Sequence, residues 1–261
     1  MENFFNHKNI IITGGASGIG ASLARLLTGH GASVIIIDRA ITKTDANNIR
    51  ADMAILTEAK QAFSQALSRL NQIDYMINCA GIFMGGEIRD TEMENWHRLI
   101  DNNVYAVAHG AQLAYWQMIK QGNGHIINVA STAGLIPVPG MGIYGASKYA
   151  LVGLSHEMRL EAAALGVKVS VACPTIVNTP LYDTAIYNKV NHERALDSRQ
   201  KFQTPDEAAR KILIGIRRNQ ATIHTARSTK IISLVYRLMP GLYGLVARRV
   251  VSVYRRKFRL K

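Results

Sequence analysis

Cysteine is nearly missing from this chain: its 261 residues hold two, Cys79 and Cys173, each inside an apolar, strand-like run. Two isolated thiols exclude a disulfide framework and suit buried side chains in a reducing compartment, so a cytoplasmic setting is expected. Proline is scarce, at six residues, and no long polar linker divides the chain, which at this length indicates one large domain. A long apolar run is lacking as well. The N-terminus, MENFFNHKNIIITGG, passes from an acid at position 2 into a short apolar run that ends in glycines, so no signal peptide is expected. Metal-ligand spacing is missing too: His156 and Glu157 are adjacent, but position 160 is Leu rather than a second His, and no metal is expected.

Acid is absent near the C-terminus. From Arg227 to Lys261 there are ten basic residues and no acidic one, so most of the net charge of +13 sits in that tail. The body is only mildly basic and carries no base-reading or stacking module, so the charge does not indicate a general nucleic-acid-binding role and no nucleic-acid partner is expected.

Hydrophobic residues are plentiful, at 48% against 19% charged, so a sizeable core is available. Apolar, β-branched runs recur at 9–13, 33–38, 73–78, 124–130 and 168–173, with helical patterns near 19–30, 57–70, 92–120, 144–165 and 205–218. Continuous apolar strands alternating with helices predict an α/β fold: a single-domain, Rossmann-type doubly wound parallel sheet with helices on both faces. The segment 175–204 is polar and without a clear period; a long connection of this kind is expected to be a mobile substrate lid.

Thr13–Gly20, TGGASGIG, follows the first strand and opens a helix, where small residues let the backbone approach a pyrophosphate at a positive helix N-terminus. Asp38 closes the second strand, where a carboxylate accepts hydrogen bonds from an adenosine ribose; together the two features point to a dinucleotide. That carboxylate disfavours the 2′-phosphate of NADP, so NAD is expected. Arg39 beside it is the feature that would favour NADP.

The stretch YGASK sets Tyr144 and Lys148 four residues apart, on one face of a helix. A hydride moving to a carbonyl carbon leaves an alkoxide that needs a proton donor, and the reverse reaction needs a base. A phenol with an ordinary pKa of about 10 is a poor base at neutral pH. A nearby ammonium that stabilises phenolate is expected to correct this, so Lys148 is read as lowering the pKa of Tyr144. Ser131 lies 13 residues earlier, at the end of the strand HIINVAS, at the edge of a parallel sheet that faces a ligand crevice, and its hydroxyl suits holding a carbonyl oxygen.

These motifs, in this order and spacing, resemble the short-chain dehydrogenase/reductase family over residues 7–225. The resemblance implies that Gly14, Ser17, Gly18, Ile19 and Gly20 surround the cofactor phosphates. It further implies that Asp52 and Met53 of ADM contact the adenine, and that Asn78, Ala80 and Gly81 of NCAG, with Cys79 where a second Asn is usual, border the cofactor. Asn103 in DNNVYA is similar to the family's catalytic Asn, which holds a water for proton relay; Ser131, Tyr144 and Lys148 complete that tetrad, with Lys148 also holding ribose. Pro174, Val177 and Thr179 of PTIVNT are similar to the segment that grips the nicotinamide carboxamide, with Thr175 where Gly is usual. A helix such as the one beginning at WHRLIDNNVYAV commonly packs between subunits in this family, which implies a homodimer or homotetramer.

Beyond residue 225 lies a basic, apolar extension, 226–261, whose longest uncharged run, Leu238 to Ala247, contains Pro240 and Gly241. Ten residues are too few to span a bilayer, which takes about 20. A broken amphipathic helical hairpin is expected. Its apolar side meets either lipid or protein, with peripheral contact to an anionic membrane as one reading and packing on the lid or a neighbouring subunit as the other. The expected function is transfer of a hydride between NAD and a secondary alcohol or ketone, preferably lipophilic, of sterol, retinoid or acyl type. The alternatives are a reductase of small soluble ketones or 3-oxoacyl thioesters, and a non-catalytic NAD-binding sensor or scaffold.

Overall fold

A computed structural model describes residues 4–191, 193–194 and 202–260. Parts of the expected lid, residues 192 and 195–201, lie outside the described residues. Seven parallel strands form the central sheet: β1 (Asn9–Thr13), β2 (Ser33–Ile37), β3 (Asn48–Ile49), β4 (Tyr75–Asn78), β6 (Gly124–Val129), β7 (Val167–Cys173) and β9 (Thr222–His224), in the order β3-β2-β1-β4-β6-β7-β9. A separate two-stranded pair joins β5 (Met84–Gly85) to β8 (Ile186–Tyr187).

The strands are mostly apolar at successive positions because both faces are covered. In β1, Ile10 and Ile12 pack with Leu23 and Leu27 of α1 (Gly18–Gly29) and with Ile212 and Ile216 of α6 (Pro205–Arg217). Ile11, between them, points the other way, into a cluster with Phe63 of α2 (Leu56–Leu70) and Ala111 and Met118 of α4 (Ala106–Gln121). This is the period-2 alternation of a strand sandwiched between two helical layers. Thr204 and Glu207 set the start of α6 through a reciprocal capping box: the Thr204 hydroxyl accepts from Glu207 N–H at 3.2 Å, and the Glu207 carboxylate accepts from Thr204 N–H at 2.9 Å.

The strand order reverses between β1 and β4, whose carboxyl ends open a crevice, the usual ligand position in such sheets. The helix expected over 92–120 is interrupted. It runs as α3 (Met93–Ile100), a π-helical turn at Asp101–Tyr105, and α4. The remaining long helix, α5 (Gly142–Ala162), begins two residues before Tyr144. The C-terminal extension forms α7 (Arg227–Leu238) and α8 (Pro240–Lys257), bent by 117° at Met239.

The end of α8 returns to the body. Arg255 donates to Glu87 at 2.7 and 3.1 Å, which holds that carboxyl below the usual carboxylate range, and Arg259 donates to Asp90 at 3.0 Å through both Nε and Nη2. Backbone bonds from Asn191 N–H to Phe258 C=O (2.7 Å) and from Leu260 N–H to Lys189 C=O (2.8 Å) tie the same segment to the stretch after β8. The tail therefore packs beside the expected lid.

One core group gives the fold a pH dependence. His125 on β6 is buried, its Nε2 2.8 Å from the Ser170 hydroxyl, and burial, helped by Lys168 and Arg159, pushes its pKa down to about 3. A depressed pKa means that the native state favours the neutral ring. Its contribution is thus complete above the ordinary value near 6.5 and is lost as pH falls from there through about 3. The loss is expected to reach a few kcal/mol, about 1.4 per pKa unit. Urea denaturation at stepped pH checks it: His125→Gln should flatten the decline between pH 6.5 and 3, and an unchanged slope would assign the acid loss elsewhere.

Candidate active site

The loop after β1 leaves room only for backbone. Gly18 adopts φ +53°, in the left-handed region, and a Cβ at Gly20 would lie 2.1 Å from the Gly14 carbonyl oxygen. Gly14, Ser17, Gly18, Ile19 and Gly20 all line one cavity of about 370 Å³ at the N-terminus of α1, the end where backbone N–H groups and the helix dipole favour a phosphate.

Asp38 lines the same cavity at the end of β2. Its carboxylate is held by two backbone donors, Ala16 N–H at 3.0 Å and Ala40 N–H at 2.9 Å. The Arg39 guanidinium is drawn away along the rim, donating to the Asn102 carboxamide at 2.8 Å and lying 3.7 Å from the Asp52 carboxylate. Asp52 and Met53 border the same end, and Ala80, Gly81, Pro174, Val177 and Thr179 line the rest. This glycine cradle, with an anchored carboxylate beside a helix N-terminus, fits a dinucleotide.

Two of the expected site residues stand behind the wall. Asn78 is fully buried and donates to Asn128 on the neighbouring strand at 2.9 Å, so its place is in the sheet, where Gly110 leaves room for its Oδ1. Its reading as a cofactor contact is corrected to a strand-to-strand tie. The resemblance to the family's motif fixed its position, but its direction follows from the pleat.

Asn103 is also fully buried and sits in the π-helical turn, a distortion frequent at functional sites. Its Oδ1 accepts from Ile82 N–H at 2.7 Å, while its amide donates to Ile82 C=O and to the Ser147 hydroxyl, each at 3.0 Å. Both amide hydrogens are engaged, and only the second lone pair of Oδ1 is left for a water. In this geometry Asn103 fixes the Ile82 backbone next to Gly81, where a Cβ would lie 3.4 Å from Lys148 Nζ.

Ser131, Tyr144 and Lys148 do converge on the cavity. Ser131 follows β6; its hydroxyl accepts from Ala133 N–H at 3.2 Å and lies near enough to the Tyr144 phenol to pull its pKa down. Tyr144 and Lys148 lie one turn apart on α5, with the ammonium 5.6 Å from the phenol ring centre and donating to Val129 C=O at 3.3 Å. The expectation that Lys148 lowers the Tyr144 pKa needs correction. Burial pushes Tyr144 up to about 12 against the downward pull of the Ser131 hydroxyl, and burial pushes Lys148 itself down to about 8. For each group desolvation is the largest cause, and it disfavours both charged forms. The Cys79 and Cys173 thiols are pushed up to about 12 by the same burial, so neither is a reactive thiolate at neutral pH.

Beside Tyr144 lies a second, smaller cavity of about 110 Å³, with Phe83, Ile176, Tyr182, Tyr187, Phe202 and Tyr254 in its wall. Phe83 meets the Tyr144 ring edge-on at 4.9 Å and the Tyr182 ring at 5.0 Å, so an aromatic partition separates the two spaces.

A sequence model of the short chain dehydrogenase family matches residues 8–189. The chain belongs to the short-chain dehydrogenase family. Cyclohexanol dehydrogenase of an Acinetobacter species is 34% identical over 198 residues, covering 69% of this chain and 77% of that one. D-beta-hydroxybutyrate dehydrogenase of Rhizobium meliloti is 34% identical over 193 residues, covering 69% and 75%. A short-chain dehydrogenase/reductase from Burkholderia phymatum, solved in complex with NAD, superposes with a TM-score of 0.81 at 24% identity, covering 92% of this chain and 96% of that one.

As a short-chain dehydrogenase the chain is an oxidoreductase with a Rossmann-type sheet. What reading its sequence missed is the apolar side of the site. Phe83, Tyr187 and Tyr254 come from three distant segments, and only the fold brings them together. Asn102, the partner of Arg39, was within reach, since it stands next to Asn103 in DNNVYA.

Proposed function

We propose that this short-chain dehydrogenase moves a hydride between NAD(H) and a lipophilic secondary alcohol or its ketone. The observation that carries this reading is Tyr144, which with Ser131 and Lys148 lines a cavity that fits a dinucleotide and whose ring meets Phe83 in the wall of a small aromatic cavity. When bound, a nicotinamide dinucleotide supplies the acceptor or donor of the hydride at the carbinol carbon.

The chain's own groups handle the oxygen. Tyr144 gives its proton to the oxygen in the reducing direction and takes it in the oxidising direction, and Ser131 holds that oxygen by a second hydrogen bond. Lys148, in its ammonium form, favours negative charge at the phenol. Asn103 acts on the site through the Ile82 backbone. Asp38 supports the choice of NAD, because its anchored carboxylate would meet a 2′-phosphate, while Arg39 is engaged by Asn102 and Asp52.

The lipophilic class rests on Phe83, Ile176, Tyr182, Phe202 and Tyr254, which offer a substrate carbon chain almost no hydrogen-bonding partner apart from the tyrosine hydroxyls. Initial rates with NAD⁺ and NADP⁺ across secondary alcohols of increasing chain length test the reading. Rates rising with length and larger with NAD⁺ are expected; activity confined to small polar alcohols would overturn the substrate class, and faster reduction of NADP⁺ the cofactor choice.

A further inference from the structure

The hairpin of α7 and α8 has two different sides. Inward, the Tyr243 hydroxyl donates to Pro137 C=O, and Tyr254 packs so closely on Gly140 that a Cβ there would lie 2.3 Å from its ring. These contacts, with the Arg255 and Arg259 ion pairs, seat the hairpin firmly on the body. Outward, around the bend, Ile231, Leu238, Met239, Leu242, Leu245 and Val246 are exposed, Leu238 at 68% and Leu245 at 62%. Single exposed apolar side chains are ordinary; a contiguous set on one element marks an interaction surface.

The charge around this apolar bend indicates what covers it. Arg237, Arg248 and Arg249 flank it, and among the described residues no carboxylate lies within ion-pair distance of any of them. A second copy meeting the same face about a two-fold axis would set one all-basic surface against another, with no acid in the tail to neutralise it. No single helix among the described residues is long and apolar enough to cross a membrane, and the two helices satisfy that test only as a pair bent by 117°. Apolar side chains that reach the acyl boundary, with arginines at head-group level beside them, match an element that lies on a bilayer rather than through it.

We propose that the α7–α8 hairpin docks this dehydrogenase on an anionic lipid bilayer, inserting the side chains at its bend. Because α8 also contributes Tyr254 to the aromatic-walled cavity, the docking element and that cavity share one helix. The proposal concerns binding and stands independently of the reaction.

The full chain is tested by co-sedimentation with vesicles of phosphatidylcholine alone and of phosphatidylcholine mixed with phosphatidylglycerol. Binding to the mixed vesicles is expected to exceed that to phosphatidylcholine at least tenfold and to weaken with added salt. Leu242→Glu/Leu245→Glu, at exposed positions, is expected to reduce it at least tenfold with an unchanged melting temperature. Equal binding to both vesicles, or full binding by the variant, would overturn the proposal. So would conversion of an oligomer to monomers by the same substitutions, measured by light scattering without lipid, since the face would then cover a second copy.

Discussion

Tyr144→Phe is expected to lower turnover by about 10²–10⁴-fold, the usual contribution of a positioned general acid or base, while dinucleotide affinity stays within a few-fold of the parent. The substitution removes one oxygen and keeps the ring, so the edge-on contact with Phe83 at 4.9 Å and the packing of the buried α5 face remain. The glycine cradle and the Asp38 anchor are untouched. Stopped-flow rates and a fluorescence titration of NADH, run side by side, separate the two effects; loss of both together would indicate a disturbed fold, and retained turnover would remove Tyr144 from the chemistry.

The same phenol sets a pH profile. With a pKa near 12 it is protonated at neutral pH, ready to donate, so ketone reduction needs no prior ionisation. Alcohol oxidation needs the proton-free form, whose fraction grows with pH, so the oxidation rate is expected to climb from pH 6 upward. Lys148 loses its charge as pH passes about 8, which removes the cation that favours phenolate, and the climb is expected to bend there.

Lys148→Met is expected to stabilise the protein at pH 7 while reducing turnover at least about 100-fold, the low end of what removing a group that supports acid/base chemistry costs. Lys148 is buried, and its ammonium donates to Val129 C=O at 3.3 Å. Its pKa is depressed from 10.5 to about 8, so its contribution to stability is complete above 10.5 and is lost as pH falls through 8. At neutral pH holding the charge inside costs roughly 3 kcal/mol, at 1.36 per pKa unit. Methionine keeps an unbranched apolar stem of similar length without the charge. Calorimetry should show a melting temperature higher by roughly 6–12 °C at pH 7, given about 2–4 °C per kcal/mol at this size, and a gap that closes toward pH 10.5. A variant less stable than the parent at pH 7 would show that the buried ammonium is held more favourably than its depressed pKa implies.

Much of this arrangement is legible in the sequence. The sheet strands Asn9–Thr13, Ser33–Ile37, Tyr75–Asn78, Gly124–Val129 and Val167–Cys173 are rich in apolar residues on both faces because helices cover both, and that pattern shows in the sequence near the expected runs. Tyr144 and Lys148 declared themselves by a helical spacing, and Ser131 by its place at a strand end. The short strands β3, β5, β8 and β9 carry too few residues to show a period. The π-helical turn at Asp101–Tyr105 leaves no periodic mark either, because five residues are too few to show a period of their own.

The direction of the Tyr144 shift differs from the expectation for a physical reason. Spacing reveals the attraction between two charges, whereas desolvation depends on everything packed around them. The ion pairs that clip α8 to the body join residues 168 and 169 positions apart, Glu87 with Arg255 and Asp90 with Arg259, and no local pattern announces such a match.

The most direct measurement is of the hydride itself. A medium-chain secondary alcohol carrying deuterium at the carbinol carbon is incubated with the enzyme and NAD⁺, and the reduced nicotinamide is weighed by mass spectrometry. Deuterium in the reduced cofactor with the parent enzyme, and its loss with Tyr144→Phe, is the expected result. NAD⁺ bound but left unlabelled across the whole series of alcohols would contradict the assignment of this site to hydride transfer.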